Sequence, residues 1–212
     1  MHTTALEVLD FWFGPTDDPG HGQTRSAWFR KDAAFDAEIG RRFGRLIEQA
    51  LLANEANEAN EANAANAADP SLDWTARPLQ ALPALARLIV LDQFTRNHFR
   101  GTARAFAGDA QALQLARALV ASGLDRSLTG VQRQFVYLPF EHAEDLSHQR
   151  TSVGLFTQLG RDEPALAGLL DWAQRHHDIV ARFGRFPHRN AQLGRADTAE
   201  EAAFLLTPGS GF

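Results

Sequence analysis

The chain has 212 residues, a formal net charge of −5 and no cysteine. Disulfide bonds, thiolate metal sites and a cysteine nucleophile are therefore excluded. The pI of about 5.9 argues against general binding to nucleic acids or anionic membranes, which requires a basic field. The length, with a hydrophobic content of 44%, predicts one soluble domain over residues 1–212 with a substantial core.

The first predicted element is an amphipathic helix in the segment MHTTALEVLDFWFG. A capping-box pattern of Thr4 and Glu7 marks its start, and Gly14-Pro15 ends it. Because Glu7 and Asp10 interrupt the apolar run, the segment is not typical of a secretory signal. No apolar run approaches membrane-spanning length, so the sequence predicts a cytoplasmic protein without a membrane partner.

A second helix is predicted after Asp32, because apolar residues recur there at steps of four: Phe35, Ile39, Phe43, Ile47 and Leu51. The tract ANEANEANEANAANAAD, residues 53–69, follows and repeats Asn-Glu-Ala. Its largest apolar side chain is alanine, so the tract cannot anchor a core. We expect a solvated or disordered insertion, with a frayed extension of the second helix as the alternative.

Proline, glycine and capping residues divide the rest of the chain into further helices. A strongly apolar helix follows Pro78 and ends before Gly101. Later helices are predicted to be capped by Asp109 and by Thr129, to start at Pro139 and at Pro164, and to be capped by Thr198. The last of these has a second capping box, formed with Glu201. No strand run with hairpin chemistry is present, so the sequence predicts an all-α fold of about eight helices.

Three of the predicted helices place polar side chains on their apolar stripes, at about 100° per residue. The helix after Pro83 places Asp92 and Arg96 there, and the helix after Pro164 places His176 there. The helix after Pro139 contributes His142 and Gln149, with Asp145 at the edge of the stripe. A buried unpaired charge costs several kcal/mol, so we expect these groups to meet one another or a ligand.

The sequence also supplies partners for the buried acids. Asp92 and Arg96 can pair at i, i+4. Asp145 needs a donor, and the basic stretch RFGRFPHRN, residues 182–190, contains three arginines that we expect to neutralise interior carboxylates: Arg182, Arg185 and Arg189. Glu144 is placed on the opposite, outward face of its helix.

The arginines form a candidate site for a small anionic ligand, because planar guanidinium groups suit carboxylate and phosphate. A second group of arginines lies in RNHFRGTAR, residues 96–104. The candidate ligand-binding residues are Asp92, Arg96, Arg100, Arg104, Gln149, His176, Arg182, Arg185, His188, Arg189 and Asn190.

His142 with Glu141 or Asp145 is a candidate for general acid–base catalysis. With His176 and His188, these residues also offer oxygen and imidazole ligands for a divalent metal. However, the paired Glu-x-x-His motif of di-metal bundles is missing, as is HExxH, and neighbouring arginines would repel a cation. We therefore predict no metal site. Neither a P-loop nor a dinucleotide loop is present, and no cofactor is indicated.

Three blocks of sequence resemble one family: DQFTRNHFRGTARAFAGDAQAL, FVYLPFEHAEDLSHQRTSVGLF and RFGRFPHRNAQLGRADTAEEAAFL. Together with LEVLDFWFG near the N-terminus, they resemble the bacterial family catalogued as domain of unknown function 924. The resemblance implies an all-α, tetratricopeptide-like helical array and brings no established activity, cofactor or catalytic residue. Thr95 stands where the family's DQFPRN block has proline.

The sequence is compatible with three functions, of which we favour the first. The first is a site for a small anionic molecule, with enzymatic activity undecided, in which the arginines hold a ligand near His142, Glu141 and Asp145. The second is a tetratricopeptide-like interaction module that binds a peptide or a partner protein. In the third, the Arg/Asp/His cluster is a structural network without a ligand. The sequence does not indicate an oligomeric state.

Overall fold

The structure of this chain is a computed structural model, which describes residues 3–59 and 79–211. All regular structure in these two ranges is helical, which confirms the predicted all-α class. The chain divides into two compact units. The first unit comprises residues 1–100 and 104–139, and the second comprises residues 101–103 and 140–212. The single domain and the tetratricopeptide-like arrangement stay predictions.

The first unit contains the helices of the N-terminal two thirds of the chain: α1 (Thr3–Phe13), α2 (Ala33–Ala59), α3 (Ala81–Leu88), a π-helical segment (Ile89–Phe94), α4 (Thr95–His98), α5 (Asp109–Ser122) and most of α6 (Gly130–Glu141). The predicted apolar stripe of α2 is confirmed at Ile39, Phe43 and Ile47, which are buried. Asp32 starts this helix, because its Oδ1 accepts hydrogen bonds from the backbone N–H groups of Ala34 and Phe35.

An aromatic cluster forms the centre of the first unit. The Trp12 and Trp28 rings are stacked at 5.8 Å, and Phe135 meets Trp28 edge-on at 4.9 Å. Phe94 adds a further edge-on contact to Trp12 at 5.5 Å. Such pairs add to the free energy gained by burying the rings. Trp12 and Phe13 are therefore part of the core. They hold α1 against the rest of the first unit, although this helix also carries Glu7 and Asp10.

The helix after Pro78 is confirmed, and it contains a π-helical turn from Ile89 to Phe94. The backbone N–H of Thr95 donates to the carbonyl of Val90, and its Oγ1 donates to the same oxygen at 2.9 Å. A proline at this position would lack that N–H. With Thr95 in place the helix continues to His98 instead of ending at Phe94.

Two predicted helix starts in the first unit are wrong in detail. α1 already includes Thr3, so Thr4 lies inside the helix. α5 begins at Asp109 with Gly108 at its N-cap, and the Asp109 carboxylate pairs with Arg96 instead of capping. The capping prediction for Thr129 is confirmed, since its Oγ1 accepts a hydrogen bond from the backbone N–H of Gln132.

The second unit contains α7 (Leu146–Asp162), α8 (Leu169–Phe183) and α9 (Ala199–Leu205), with short 3₁₀ turns at Pro164–Leu166 and Pro187–Arg189. α7 and α8 are neighbours in sequence and in space. The turn between them approaches Gly160 of α7 closely, since an added Cβ there would lie 2.9 Å from the Cα of Ala167. The core includes Phe156, Leu159, Ala173, Val180 and Phe186. The predicted capping box of Thr198 and Glu201 is confirmed at the start of α9.

The prediction of a continuous helix from Pro139 to Leu159 is wrong. Pro139 lies inside α6, which ends at Glu141, and α7 starts only at Leu146. Proline lacks an N–H and so removes one hydrogen bond of the helix, and α6 continues for only two residues beyond Pro139. Helical periodicity therefore cannot be extrapolated across residues 142–145, and the side chains there leave the predicted faces.

The first residues of the Asn-Glu-Ala tract continue α2, which extends to Ala59. The rest of the predicted insertion of residues 53–69, from residue 60 onward, lies outside the described residues. Within the described ranges, no helix is long and apolar enough to cross a membrane. The cytoplasmic location stays a prediction.

Candidate functional site

Asp145 serves as the N-cap of α7. Its Oδ1 accepts hydrogen bonds from the backbone N–H groups of Ser147 (2.8 Å) and His148 (3.0 Å), and from the Ser147 hydroxyl. The hydrogen bond from the Ser147 hydroxyl, followed by that from His148 N–H, lowers the pKa of the Asp145 carboxyl. The side chain is exposed. The expectation that Asp145 needs an arginine donor is therefore wrong, because the helix start satisfies it.

Gln149 closes the break between α6 and α7. Its Nε2 donates to the carbonyl oxygens of Glu141 (2.6 Å) and Ala143 (2.7 Å), which have no partner in a helix that ends there. Gln149 is fully buried, as predicted, and so is Ser152 one turn further along α7. Neither Gln149 Oε1 nor Ser152 Oγ forms a hydrogen bond with another described residue.

His176 lies at the centre of the candidate site, on α8. Its Nδ1 is 2.9 Å from the carbonyl oxygen of Trp172 and 3.1 Å from Oε1 of Glu141. A carbonyl can only accept, so Nδ1 carries the proton and donates, which leaves Nε2 as the basic nitrogen of a neutral ring. His176 is 6% exposed and Glu141 is 3% exposed. Together they form a buried imidazole–carboxylate pair.

Burial lowers the pKa of His176 to about 3. The hydrogen bond to Trp172 opposes this shift, while the charges of His142, Arg189 and His188 add to it. The pKa of His188 is lowered to about 4, first by burial and next by the charge of Arg189. Burial, aided by the charge of Arg189, therefore holds both imidazoles neutral near pH 7.

Phe186 joins these groups into one cluster. The rings of His176 and His188 lie 5.5 Å and 5.6 Å from the Phe186 ring, and the guanidinium carbon of Arg189 lies 4.6 Å from it. The His142 ring is 6.2 Å from that of His176. We call this set, together with Glu141, the imidazole cluster. His142 and His188 are partly exposed, so solvent reaches the cluster at these two rings.

The loop that carries His188 and Arg189 is held by Glu144. This carboxylate accepts hydrogen bonds from Arg195 at 2.6 and 2.9 Å and from the backbone N–H of Phe186 at 2.7 Å. Burial by itself would raise the pKa of Glu144, but the hydrogen bonds from Arg195 and Phe186 outweigh it and lower the pKa. The predicted outward position of Glu144 is therefore wrong.

Asn190 completes this loop and is fully buried. Its Oδ1 accepts a hydrogen bond from Nε of Arg195 at 2.9 Å, and its Nδ2 donates to Asp197 at 2.7 Å. Both polar ends of the side chain are thus used within the chain. Asn190 thereby shapes the loop, and its place in a ligand site stays a prediction.

Two of the three arginines in RFGRFPHRN pair with acids of α9. Arg185 holds both carboxylate oxygens of Glu201, at 2.6 and 2.7 Å, and Arg182 lies 2.7 Å from Glu200. Glu201 is 2% exposed, so the prediction that Arg185 neutralises an interior carboxylate is confirmed, with Glu201 as that carboxylate. The pair of Arg182 and Glu200 is exposed.

The predicted anion-binding residues of the first unit are engaged by carboxylates of the chain itself. The predicted pair of Arg96 and Asp92 is confirmed at 2.7 Å, and Asp109 lies 2.9 Å from the same nitrogen. Arg100 contacts Asp36 at 2.6 Å and Arg104 contacts Glu48 at 2.6 Å. Each of these guanidinium groups therefore has its own acid, and a common anion site formed by the three arginines stays a prediction.

Several important residues were not predicted from the sequence: Glu144, Arg195, Asp197 and Glu201 as an arginine partner. Glu201 had a usable signal, because the capping box shows that a carboxylate is held at the start of α9. No comparable signal marks the partners of Glu144, since its donors lie more than forty residues further along the chain.

The cluster offers imidazole and carboxylate groups for acid–base chemistry and one buried guanidinium group, that of Arg189. Among residues 3–59 and 79–211, no group of three histidine, aspartate or glutamate side chains is arranged to hold a metal ion. Of the three predicted catalytic residues, Glu141 and His142 belong to the imidazole cluster, whereas Asp145 caps α7. The structure adds His176 as the ring in contact with Glu141.

Comparison with known proteins agrees with the sequence blocks. A family model described as bacterial protein of unknown function (DUF924) matches residues 8–209. The chain is also similar to a solved structure, that of the protein of unknown function ATU0120 from Agrobacterium tumefaciens, with 37% sequence identity and a TM-score of 0.71. The match covers 95% of this chain and 96% of that chain. No curated protein matches the sequence. The chain therefore belongs to the DUF924 family of bacterial proteins.

Proposed function

We propose that the second unit binds a small anionic molecule at the imidazole cluster and uses His176 as a proton acceptor. The single observation that carries this proposal is the pairing of His176 Nδ1 with Trp172 O and Glu141 Oε1. It fixes the ring orientation and leaves Nε2 as the basic nitrogen. Burial keeps the ring neutral near pH 7, which is the form that can accept a proton.

The positive charge of Arg189 indicates that the ligand is an anion. This guanidinium is buried against Phe186, and its charge lowers the pKa of His176, His188 and Glu144. A positive field at these positions favours an anion. Arg182 and Arg185 are committed to Glu200 and Glu201 and do not contribute to the proposal. The shared ligand chemistry is an oxyanion, either carboxylate or phosphate.

A thermal-shift titration tests the proposal with inorganic phosphate and acetate as probes at constant ionic strength. At ten times its Kd, a ligand that binds only the folded protein stabilises by RT ln 11, so it should raise Tm by about 3–6 °C. Arg189→Gln should abolish this rise. The matched control is Arg182→Gln, which removes an arginine of the same loop region and should retain it.

Two results would contradict the proposal: an unchanged response of Arg189→Gln, or an equal Tm rise with sodium chloride at the same ionic strength. If Arg189→Gln does not fold, His142→Gln replaces it, since that ring is partly exposed. Loss of the phosphate response in folded His142→Gln supports the site, and an unchanged response counts against it.

The structural-network hypothesis is the second candidate, and a specific observation favours it. Five of the arginines predicted to bind a ligand pair with acids of the chain: Arg96, Arg100, Arg104, Arg182 and Arg185. If this hypothesis is right, neither probe raises Tm in wild type, and the variants differ only in stability. The interaction module with a peptide or protein partner stays a prediction.

A further inference from the structure

The first unit contains a cleft that the imidazole cluster does not include. Its volume is about 440 Å³, which lies in the range of small-molecule sites. It is formed at the C-terminal end of α1, by the turn that follows and by the first part of α2. The side chains that matter below are Asp10, Phe11, Arg25, Phe35 and Arg42, all of which line it.

One wall of the cleft is aromatic. The rings of Phe11 and Phe35 are stacked at 5.5 Å with an interplanar angle of 10°. Phe43 meets Phe11 edge-on at 5.2 Å and supports this wall from within α2. The stack is thus fixed by the contact between α1 and α2 and presents a preformed apolar surface to a ligand.

Two arginines converge on Phe11. The Arg42 guanidinium carbon lies 4.9 Å from the Phe11 ring, and NH1 of Arg25 donates to the carbonyl oxygens of Phe11 (2.9 Å) and Trp12 (3.0 Å). Within the described residues, neither guanidinium forms an ion pair. The neighbouring acid on α2, Glu38, is held by Arg41 at 2.6 Å. Both cations are therefore available to a carboxylate.

An acid lies in the same cleft. Asp10 precedes Phe11 on α1 and is partly buried, and its carboxylate accepts no hydrogen bond from a described residue. Arg25 instead donates to backbone carbonyl groups and Arg42 lies over the Phe11 ring, so neither is paired with Asp10 among the described residues. A single cleft thus holds charges of both signs that do not neutralise each other directly. A ligand with one negative and one positive group could pair with the arginines and with Asp10 at the same time.

We propose that this cleft binds a small zwitterion with an apolar side chain, the chemistry of a free amino acid such as phenylalanine. The carboxylate binds Arg25 and Arg42, the ammonium group binds Asp10, and the side chain lies against Phe11 and Phe35. Selectivity arises because a molecule that lacks either charge leaves one side of the cleft unpaired. This proposal does not depend on the function proposed for the imidazole cluster.

The test is isothermal titration of the full chain with three matched probes: L-phenylalanine, 3-phenylpropionate and phenethylamine. The second lacks the ammonium group and the third lacks the carboxylate. We expect phenylalanine to bind with a Kd of about 1 mM or below. Each single-charge probe should bind at least about tenfold more weakly, which corresponds to the loss of one ion pair.

Two variants assign the charges. Arg42→Gln should weaken binding of phenylalanine and 3-phenylpropionate by about tenfold and leave phenethylamine unchanged. Asp10→Asn should weaken binding of phenylalanine and phenethylamine by about tenfold and leave 3-phenylpropionate unchanged. The matched control is Arg45→Gln, an exposed arginine on the same helix outside the cleft lining, which should bind all three probes like wild type.

Equal binding of the three probes, an equal effect of Arg45→Gln and Arg42→Gln, or no heat of binding with phenylalanine would overturn the proposal. Since Arg42 is exposed, its variant keeps the fold and remains decisive if Asp10→Asn fails to fold. Arg189→Gln, the variant that should lose the response to phosphate at the imidazole cluster, should bind phenylalanine like wild type. The two proposals can therefore fail independently of each other.

Discussion

Arg195 holds both carboxylate oxygens of Glu144, at 2.6 and 2.9 Å, and so joins the start of the second unit to a loop 51 residues further along the chain. The same carboxylate accepts the backbone N–H of Phe186. Phe186 is the ring against which His176, His188 and Arg189 lie. The geometry of the imidazole cluster therefore depends on a pair whose members are not part of it.

Replacing Glu144 by glutamine should destabilise the protein by about 1.5–3 kcal/mol, because it removes charge-assisted hydrogen bonds in a partly buried site. Urea unfolding monitored by circular dichroism measures this difference. The matched control is Glu200→Gln, which breaks the exposed pair with Arg182 and should cost no more than about 1 kcal/mol. Equal losses in the two variants would contradict a structural role of Glu144.

The stability of the protein should fall in acid partly through Glu201. The hydrogen bond from Arg185 lowers the pKa of Glu201 from its usual 4.5 to about 2. A depressed folded-state pKa contributes stability above the unfolded-state pKa, and this contribution is lost as the pH falls through the folded-state value. The loss attributable to Glu201 therefore occurs between pH 4.5 and about 2.

Glu201→Gln tests this pH dependence. The variant should be less stable than wild type near pH 6, and the difference between their free energies of unfolding should narrow as the pH approaches about 2.5. Urea denaturation across this range measures both proteins. A difference that stays constant with pH would show that the charge of Glu201 does not contribute.

His176 should remain neutral, with its proton on Nδ1, between about pH 7 and pH 5. The folded-state pKa is lowered to about 3, mainly by burial. Long-range ¹H–¹⁵N correlation spectra report the tautomer directly. A protonation midpoint above pH 5, or a proton on Nε2, would contradict the arrangement with Trp172 and Glu141.

The same shift makes His176 a source of acid sensitivity. The unfolded chain takes up a proton at this ring below its ordinary pKa of 6.5, whereas the folded chain does so only near 3. Stability linked to His176 is therefore complete above pH 6.5 and is lost as the pH falls from 6.5 toward 3.

Two glycine-to-alanine substitutions should have opposite effects. At Gly108 an added Cβ would lie 2.2 Å from the carbonyl oxygen of Leu91, which is backbone of the π-helical segment and cannot move aside. Gly108→Ala should therefore destabilise by at least about 3 kcal/mol. Gly154 lies inside α7 with nothing within 4 Å of an added Cβ, so Gly154→Ala should stabilise by about 0.5–1 kcal/mol.

Thermal and urea unfolding of the two glycine variants measure these effects against wild type. A Gly108→Ala protein as stable as wild type would show that the contact between Gly108 and Leu91 can relax. A destabilised Gly154→Ala protein would show that this position of α7 is covered rather than open.

Most of the fold was predictable because its signals are local. The stripe of Ile39, Phe43 and Ile47 follows from helical periodicity, and the capping box of Thr198 and Glu201 needs only four consecutive residues. The pair of Asp92 and Arg96 follows from the i, i+4 geometry of one helix. The prediction of one helix from Pro139 to Leu159 was wrong because α6 ends at Glu141 without a strong chain breaker after it. The helix faces assigned to residues 142–145 were therefore wrong as well.

Only part of the candidate site could be predicted in the same way. Sequence reasoning named Glu141, His142, His176, His188 and Arg189, which the structure brings together around Phe186. It could not distinguish Arg189 from its neighbours. Arg182 and Arg185 carry the same charge in the same stretch. Their ion pairs with Glu200 and Glu201 depend on where α9 lies.

The sequence by itself determined the helical class and the family. It also showed which polar side chains lie on apolar helix faces and therefore need hydrogen-bond or ion-pair partners inside the protein. It could do so because periodicity, capping and i, i+4 pairing depend on residues within one or two helical turns. The tertiary structure decided which arginine of RFGRFPHRN meets which acid, and that His176 contacts Glu141. These choices depend on contacts between segments far apart along the chain, whose distances no local pattern encodes.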